Sequence, residues 1–451
     1  MDFNAVLNNI KTKGIRETLE IRRIRKMDRE NNSKSYKILL ITNRNSDNVG
    51  DQVIEACDIS LIKTIMKNVG IRKYTIKSVD AGIISENYVE TRDESLIKKA
   101  YEQIERSDVI IFGGAPMFNY TYQIFSERTV KIVEIAKKYN KPVLFSSIGV
   151  EGYDENNKKC MRLKEALNFD NVKLLTTRDD IVSLKAFRDD ITYKVADPAV
   201  FSGKTFKKFI KSSKGDKKTI GIFVLRSNGF KDNGYNLNRS QQLEMWAKMK
   251  ELLEGQGYNV KMMTSGNFGD EAILDHLVRK FGVEARQTVF NMSTPEKLVE
   301  EISKCDLIIS PRLHPSIIAY AIGIPSIGVV YNSKVEEFYK NIKYDNRIFH
   351  VEDSVEDILI KVEEALVNGV TQEKEYLMSI YVSLFNAMNE SIGDTNIEPY
   401  TYDRVIDEMA EYSGTSTAEY ERKLVRRSRR LYHTYNKMFE ENAELKAKSK
   451  K

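Results

Sequence analysis

Several features that would assign this chain to a specialised class are scarce in its sequence or missing from it. Its 451 residues include three cysteines, Cys57, Cys160 and Cys305, and four histidines. The cysteines are odd in number and far apart, which argues against a disulfide framework and indicates small core thiols in a reducing compartment. Neither residue type has the spacing of a metal site, so we expect no metal ion and no bound cofactor.

A membrane anchor and a nucleic-acid-binding surface are also missing. No run approaches the ~20 apolar residues that a membrane-spanning helix needs, and the N-terminus lacks the apolar core of a signal peptide. We therefore expect a cytoplasmic protein. The formal net charge of +6 is mild, and no nucleic-acid motif accompanies it, so we expect no nucleic-acid partner. Anionic sugars or lipid phosphates explain the basic bias equally well.

The order of strand and helix patterns predicts an α/β fold. Short apolar strands alternate with helices over residues 36–202 and again over residues 219–350, which is typical of doubly wound parallel sheets. Two Rossmann-like domains that face each other across a cleft give the glycosyltransferase-B (GT-B) type of architecture. The remaining segments are a basic N-terminal helix (1–34), an exposed lysine-rich linker (203–218), a helical segment (351–400) and a basic helical tail (401–451).

The most informative stretch is a strand, helix and strand pattern within residues 307–331. Pro315 is expected at the first helical position, and Gly323 is expected to end the helix. Arg312 and His314 then lie in the turn between strand and helix. In open α/β folds this turn lies at the carboxyl end of the sheet, where ligands bind and where free helix amides favour negative charge.

Arginine and histidine in such a turn indicate chemistry on an anion. The planar fork of Arg312 suits a phosphate or carboxylate, and the imidazole of His314 can exchange a proton near neutral pH. An alternative interpretation is purely structural. In that case Arg312 pairs with a structural carboxylate, and His314 caps the helix.

The first half of the chain contains two further turns of interest. The strand pattern YKILLIT breaks into the loop Asn43–Gly50, after which Asp51 is expected to cap a long helix. The apolar run VIIF ends in Gly113 and Gly114. Successive glycines after a strand permit a tight turn or the close approach of the backbone to a ligand.

In their order along the chain, these pieces resemble the polysaccharide pyruvyl transferase family over about residues 36 to 345. The matching residues are Asn48-Val49-Gly50-Asp51, Gly113-Gly114, Thr177-Arg178-Asp179 with Ser183, Asp197-Pro198, Arg226, Ser310-Pro311-Arg312-Leu313-His314, Gly323-Ile324-Pro325 and Tyr331. The chain departs from the family pattern at Ala115, where a third glycine is usual, and at Pro315, where a small residue is usual. Both departures affect the identity of the acceptor that the resemblance would imply. Neither changes a residue that is expected to bind the donor.

The resemblance implies transfer of a pyruvyl group from phosphoenolpyruvate, the co-substrate, to a sugar of a cell-surface polysaccharide or its precursor. A ketal then forms across two hydroxyls, and phosphate is released. We assign Arg226 and Arg312 to the donor, whose carboxylate and phosphate need cationic partners. His314 is either the proton donor to the methylene carbon or the partner of the leaving phosphate.

The same resemblance assigns Asn48, Asp51, Gly113 and Gly114 to the acceptor side of the cleft. Asp51 either deprotonates a sugar hydroxyl or only caps its helix. The acceptor sugar is free, nucleotide-activated or lipid-linked. We hypothesise that the enzyme decorates a glycan precursor in the cytoplasm, at the inner face of the membrane if the acceptor is lipid-linked.

Other motifs have simpler interpretations, and two other functions remain open. Arg178-Asp179 is either part of the site or only a local ion pair at a helix start, and we expect Asp197-Pro198 to be a turn at the domain boundary and not a catalytic group. The rival enzyme is a nucleotide-sugar-dependent glycosyltransferase, which would need a ribose-binding carboxylate near Glu271 or Glu296. The other alternative is a non-catalytic scaffold in polysaccharide assembly.

The last segment has a heptad pattern beside a basic cluster. Leu424, Leu431, Met438 and Leu445 recur every seven residues, and six arginines and lysines lie between residues 422 and 430. Three interpretations are open: self-association or packing on the N-terminal helix, peripheral contact with anionic membrane lipid, and a solvated charged helix.

Overall fold

A computed structural model of the protein describes residues 35–115, 118, 125–212, 215–393 and 396–448. The basic helix predicted for residues 1–34 lies outside the described residues.

Within the described residues, twelve strands form two parallel sheets of six strands each. The first sheet has the order β2-β1-β3-β4-β5-β6, and the second has the order β12-β11-β10-β7-β8-β9. The strands are β1 (Tyr36–Thr42), β2 (Tyr74–Asp80), β3 (Val109–Gly113), β4 (Val143–Ile148), β5 (Val172–Thr177), β6 (Thr192–Lys194), β7 (Thr219–Phe223), β8 (Asn259–Met263), β9 (Thr288–Val289), β10 (Leu307–Ser310), β11 (Ser326–Val330) and β12 (Ile348–His350).

Helices connect these strands and follow the second sheet. They are α1 (Val49–Asn68), α2 (Glu86–Thr91), α3 (Lys98–Glu105), α4 (Phe125–Lys138), α5 (Lys158–Leu167), α6 (Ile181–Phe187), α7 (Ser202–Thr205), α8 (Arg239–Gly255), α9 (Phe268–Phe281), α10 (Pro295–Ser303), α11 (Leu313–Ala321), α12 (Ser333–Asn341), α13 (Asp357–Asn368), α14 (Lys374–Ile392), α15 (Tyr402–Glu408) and α16 (Thr417–Lys448). The predicted fold class, two doubly wound parallel sheets with a helical C-terminal extension, is confirmed.

Local sequence signals explain several of these boundaries. The strand β10 consists of four fully buried residues, as its unbroken apolar run predicts. The side chain of Thr294 accepts a hydrogen bond from the amide of Lys297 and so caps α10. The segment 203–218 is not exposed throughout, contrary to the prediction. Phe206 is fully buried there and packs against the Tyr412 ring at a centroid distance of 5.1 Å.

The chain returns to the first domain after completing the second. Helix α14 packs against β4, β5 and α1 of the first domain. The Ala196 amide donates a hydrogen bond of 2.9 Å to the Ser379 hydroxyl of α14. One apolar cluster therefore runs from the first domain through α11 to α14, and the two sheets are held in a fixed relation by a shared core.

The loop after β1 lies against the end of β8. The amide of Val49 donates a 2.8 Å hydrogen bond to the carbonyl of Ser265. A side chain on Gly266 would meet the Asp47 carbonyl at 2.5 Å, so the two backbones approach too closely for any residue but glycine. The helix starts of the two domains therefore face each other.

Candidate active site

The helix that follows β10 begins before Pro315, the residue that was expected at its first position. The structure begins α11 at Leu313, so Pro315 is its third residue and not its first. Proline is tolerated there because the amides of the first turn have no partner within the helix. Arg312 is the N-terminal cap residue but makes no side-chain capping bond. His314 lies in the first helical turn and does not cap the helix.

His314 is buried between the two domains and held against a glycine of the opposite domain. Its exposed fraction is 6%. A Cβ atom on Gly50 would lie 2.4 Å from both Cγ and Nδ1 of the imidazole. The ring therefore lies directly on the backbone at the start of α1. Its Nε2 atom is 3.8 Å from Oδ2 of Asp197 and has no hydrogen-bond partner among the described residues.

The surroundings of His314 favour the neutral imidazole. Burial lowers its pKa to about 3, and the positive charge of Arg178 contributes in the same direction. The carboxylate of Asp51 raises the pKa but does not compensate. In the protein without substrate, His314 is therefore uncharged at neutral pH and can accept a proton.

Arg178 and Asp197 form a buried ion pair beside this histidine. Nη1 of Arg178 donates to Oδ2 of Asp197 at 2.6 Å and also donates to the Gly114 carbonyl. Asp197 additionally accepts the amide of Ala199 at 2.8 Å. Asp197 caps the turn that begins at Pro198, as expected, whereas Arg178 pairs with Asp197 and not with the adjacent Asp179.

Arg312 and Arg226 meet at a carboxylate that the sequence interpretation missed. Asp270 is fully buried and accepts two hydrogen bonds from Arg312, from Nε at 2.9 Å and from Nη2 at 2.7 Å. It also accepts the backbone amide of Arg226 at 2.7 Å. Burial opposes the charge of Arg312, but Asp270 outweighs it and raises the arginine pKa. The structural-carboxylate interpretation of Arg312 is therefore correct, although the guanidinium has further N–H groups for a ligand.

A cavity of about 480 Å³ opens between the two domains next to this cluster. Asp179 lines it from the first domain, and Asn332 and Lys334 line it from the second. Nζ of Lys334 donates to Glu151 at 2.6 Å and lies 3.7 Å from Asp179. Burial lowers the pKa of Lys334, but these two carboxylates outweigh burial and raise it. Lys334 is therefore a charged ammonium group held beside two carboxylates of the first domain.

The four residues predicted for the acceptor lie at the start of α1 and at the end of β3. Helix α1 begins at Val49, so Asn48 is the cap residue and the expected capping by Asp51 was wrong. Asp51 is buried in the first turn and accepts a 2.8 Å hydrogen bond from Asn43. Their roles toward a substrate stay predictions.

Gly113 and Gly114 allow α1 and β3 to pack closely. A Cβ on Gly113 would lie 2.2 Å from Oδ2 of Asp58, and one on Gly114 would lie 2.5 Å from Ile54. Both glycines are therefore required by contacts inside the first domain. Gly114 also offers its carbonyl to Arg178, which links the turn to the His314 cluster.

Asp58 is a fully buried carboxyl group whose two oxygens have no hydrogen-bond partner among the described residues. Burial raises its pKa well above the usual value, and the charge of Asp197 adds to this effect. The folded state therefore keeps the Asp58 proton at pH values where the unfolded chain has lost it. The contribution of Asp58 to the free energy of unfolding is therefore fully present at acidic pH, and it is lost as pH rises.

We expect Asp58→Asn to remove this loss of stability. The melting temperature of the variant relative to wild type should increase from pH 5 to pH 8, as measured by calorimetry. Asp170→Asn is the matched control, because Asp170 is exposed and should leave the pH dependence unchanged. Parallel curves for wild type and Asp58→Asn would contradict the assignment.

Helix α16 crosses the seam between the two domains near this site. Lys423 donates to Gln52 at 2.8 Å, Arg430 pairs with Asp47 at 2.9 Å, and Arg427 pairs with Glu271 at 2.8 Å. Arg427 also donates to the Gly266 carbonyl at 2.5 Å. The basic start of the helix therefore binds both the loop after β1 and the start of α9.

Between residues 35 and 448, apart from the undescribed gaps, no helix is long and apolar enough to cross a membrane.

Both carboxylates that a nucleotide could use are already engaged by the C-terminal segment. Glu271 pairs with Arg427, as described above. Glu296 accepts two hydrogen bonds from Thr415, from the backbone amide at 3.1 Å and from the hydroxyl at 3.0 Å. Each of these side chains is half-buried and already has a partner in the C-terminal segment.

These observations define the class of the protein as a two-domain GT-B-type α/β protein with a charged interdomain site. A structure from Listeria monocytogenes assigned as a UDP-N-acetylglucosamine 2-epimerase shares this fold at a TM-score of 0.53 and 10% identity, covering 82% of this chain and 100% of that one. A UDP-GlcNAc 2-epimerase from Neisseria meningitidis bound to UDP-GlcNAc has a TM-score of 0.49 at 10% identity, with 79% and 100% coverage. The ADP-heptose LPS heptosyltransferase II of E. coli has a TM-score of 0.39 at 13% identity, with 74% and 98% coverage.

The chain belongs to the polysaccharide pyruvyl transferase family, whose model matches residues 14–333. The predicted family is thereby confirmed, and this family implies a transferase that acts on a polysaccharide. No curated protein matches the chain in sequence.

Proposed function

We propose that the protein transfers a pyruvyl group from phosphoenolpyruvate to two hydroxyls of a sugar in a cell-surface glycan or its precursor. The observation that carries the proposal is the buried, neutral His314 between two buried arginine–carboxylate pairs, Arg178–Asp197 in the first domain and Arg312–Asp270 in the second. Phosphoenolpyruvate presents a carboxylate and a phosphate. A site for it needs cationic partners, and Arg226 and Arg312 are the candidates in this cleft.

On the donor side, the guanidinium groups of Arg312 and Arg226 bind the anionic groups of phosphoenolpyruvate, while Asp270 holds the Arg312 side chain and the Arg226 backbone amide. Arg312 is fixed by two hydrogen bonds to Asp270, so its remaining N–H groups are oriented before the substrate arrives. Such preorganised donors stabilise developing charge without reorganisation during the reaction.

The reaction balances with one proton relay. The first sugar hydroxyl adds to C2 of phosphoenolpyruvate, and the methylene carbon C3 gains a proton to become a methyl group. The C2–O bond to phosphate then breaks, its electron pair leaves with phosphate, and the second hydroxyl adds to C2 to close the ketal. One hydroxyl proton ends on C3 and the other on phosphate.

His314 is the group suited to relay the first proton. Because its imidazole is neutral in the absence of substrate, Nε2 can accept the proton of the attacking hydroxyl. The resulting imidazolium then donates to C3. The negative charge of bound phosphoenolpyruvate stabilises that imidazolium and reduces the effect of burial on its pKa.

The acceptor lies on the first domain in this proposal. Asn48 and Asp51 at the start of α1, together with the turn at Gly113 and Gly114, form the side of the cleft opposite the donor arginines. Whether that acceptor is lipid-linked is a question for substrate screening.

Phosphoenolpyruvate should stabilise the protein against thermal unfolding. A ligand at 100 times its Kd stabilises the folded state by about 2.7 kcal/mol, and we expect a corresponding rise in melting temperature. Arg226→Gln should reduce that rise, because Arg226 pairs only with the half-exposed Asp232 and its loss costs little stability by itself. Arg239→Gln, an exposed arginine at the start of α8, is the matched control.

Arg312 requires a paired variant in the same experiment. Arg312→Ala alone would leave Asp270 buried and unpaired, which costs about 3 to 5 kcal/mol and would obscure ligand effects. Arg312→Gln combined with Asp270→Asn removes both charges together.

If phosphoenolpyruvate leaves the melting temperature of wild type unchanged while a nucleotide or nucleotide sugar raises it, the pyruvyl transfer proposal is wrong and the glycosyltransferase replaces it. If phosphoenolpyruvate binds but no acceptor in a sugar screen is modified, the scaffold is favoured.

A further inference from the structure

A second cavity, of about 650 Å³, lies between the carboxyl end of β2 and the start of α16. We call it the basic cavity. It shares no lining residue with the interdomain cavity described above. Open α/β folds bind their ligands at the carboxyl ends of parallel strands, and its volume lies within the range of about 300 to 1,000 Å³ that is usual for small-ligand sites.

The charged side chains that line the basic cavity are mostly cationic. Two of them are carboxylates, Asp80 and Glu419. The cations are Arg44, Lys77, Lys99, Arg422, Lys423 and Arg426. The first three belong to the first domain, and the last three belong to the first turns of α16, so two separate parts of the chain bring positive charge to the same cavity.

Four of these cations have no carboxylate partner among the described residues. The side chains of Lys77, Lys99 and Arg422 form no ion pair within that part of the chain. Arg426 donates to the neutral amide oxygen of Asn45, which does not offset its charge. The cavity therefore holds several positive charges that the protein itself leaves uncompensated.

The two carboxylates offset only part of this charge. Oε1 of Glu419 already accepts a hydrogen bond from Arg44 at 2.9 Å and lies 3.7 Å from Nζ of Lys423. Oδ1 of Asp80 accepts the backbone amide of Gly82 at 2.7 Å. The approach of α16 to the end of β2 thus gathers like charges that repel one another. An anion that contacts several of them at once would remove this repulsion.

The loop after β1 connects the basic cavity to the candidate active site. Arg44 and Asn45 line the cavity, Asn48 is the cap residue of α1, and Gly50 lies against the His314 ring. The chain from position 45 to position 50 spans at most about 17 Å even when fully extended. A group attached to a sugar beside Asn48 can therefore reach the basic cavity.

Phosphate oxygens suit the lining of the basic cavity better than other biological anions. The guanidinium groups of Arg422 and Arg426 offer planar forks that match phosphate, and the lysines add point charges. A single carboxylate would use only one or two of these cations. A diphosphate has several charged oxygens and can use all of them.

We propose that the basic cavity binds a phosphate or diphosphate group that the acceptor sugar carries. This inference rests on the proposed function, because it concerns the acceptor of that reaction. It favours an acceptor linked to a nucleotide or to a lipid over a free sugar. Both carriers present the same diphosphate, and the experiments below separate them.

Binding of inorganic pyrophosphate to the full chain tests the site directly. Calorimetric titration in saturating phosphoenolpyruvate keeps pyrophosphate away from Arg226 and Arg312. Lys99→Gln with Arg422→Gln should weaken pyrophosphate binding by at least ~10-fold, because each side chain makes a charge-assisted hydrogen bond to the anion. Both positions are exposed, so the variant should melt at the temperature of wild type.

Lys98→Gln with Arg106→Gln is the matched control. It removes the same two charges from exposed positions on and next to α3 that do not line the cavity, and it should bind pyrophosphate as wild type does. Equal affinity in wild type and in the Lys99, Arg422 variant would overturn the proposal. So would a wild type that does not bind pyrophosphate.

The nature of the carrier follows from two further probes. Tighter binding of uridine diphosphate than of pyrophosphate would indicate a nucleotide-linked acceptor. Sedimentation of the protein with vesicles that contain a polyprenyl diphosphate, but not with vesicles that contain the polyprenol, would indicate a lipid-linked acceptor. In either case the Lys99, Arg422 variant should lose the binding. Failure of both probes would overturn the assignment of the cavity to the acceptor.

The donor site provides the readout that separates this inference from the proposed function. Phosphoenolpyruvate should raise the melting temperature of the Lys99, Arg422 variant as much as that of wild type, because Arg226 and Arg312 are intact. Loss of pyrophosphate binding with an unchanged response to phosphoenolpyruvate supports the basic cavity. A wild type that does not respond to phosphoenolpyruvate would refute the proposed function, and the assignment of the cavity to its acceptor would fall with it.

Discussion

Replacing His314 with glutamine should reduce the rate of pyruvyl transfer by about 10²- to 10⁴-fold, the usual contribution of a positioned acid or base. Glutamine has a similar size and can form hydrogen bonds, but it cannot relay a proton from a hydroxyl to carbon. We expect the loss in kcat, while binding of phosphoenolpyruvate by Arg226 and Arg312 is retained. Phosphate release and the mass gain of the acceptor measure the two products separately.

The pH dependence of stability provides an independent check that His314 is buried and neutral. Its pKa is lowered to about 3 in the folded state, whereas an exposed histidine titrates near 6.5. The unfolded chain therefore gains a proton first as pH falls, and wild type loses stability from about pH 6.5 downward. The glutamine variant lacks this contribution and should become more stable relative to wild type between pH 6.5 and pH 4.

His276→Gln is the matched control for both measurements. His276 lies on α9 and contacts the exposed Arg239 on the surface. The substitution should leave kcat and the pH dependence of unfolding unchanged. A His314→Gln variant with wild-type kcat would reject the proton relay and leave only a structural role for the ring.

Local patterns in the sequence predicted much of the fold because the relevant interactions are local. The strand β10 and the helices α8, α9 and α10 follow from apolar periodicity and from capping residues a few positions away. The short strands β9 and β12, of two and three residues, were missed because they are too short to show alternation. They become strands only because a neighbouring strand offers hydrogen bonds.

The candidate site was predicted less completely because its pairings are not local. Arg312 and Asp270 are 42 residues apart in the chain, and Arg178 and Asp197 are 19 apart. Nothing near Asp270 distinguishes it from an ordinary acidic residue in the first turn of a helix. Its role follows only from the order of β7, β8 and β10 in the sheet, which brings the ends of these strands together.

The contact between Gly50 and His314 explains why position 50 must be a glycine. Gly50 looked like part of a flexible loop, yet it is the second residue of α1 and has no positive φ. Its conformation would accept alanine. What excludes alanine is the imidazole of the opposite domain, 2.4 Å from the position of a Cβ atom. The glycine is therefore required by the approach of the two domains and not by a turn.

Gly50→Ala should consequently impair catalysis more than folding. The added methyl group displaces the His314 ring or separates the domains, and a misplacement of about 1 Å can cost ~10²-fold in rate. Alanine is favoured over glycine by about 1 kcal/mol in a helix interior, which offsets part of the strain. We expect a large fall in kcat with a small change in melting temperature.

Gly255→Ala is the matched control for this substitution. Gly255 is the last residue of α8, and nothing lies within 4 Å of an added Cβ atom. Its kcat should equal that of wild type. The double variant Gly50→Ala with His314→Gln then separates the possible causes. If the methyl group acts through the imidazole, it should cost little additional activity once His314 is gone, whereas a full second loss would mean that Gly50 acts through the acceptor side of the cleft.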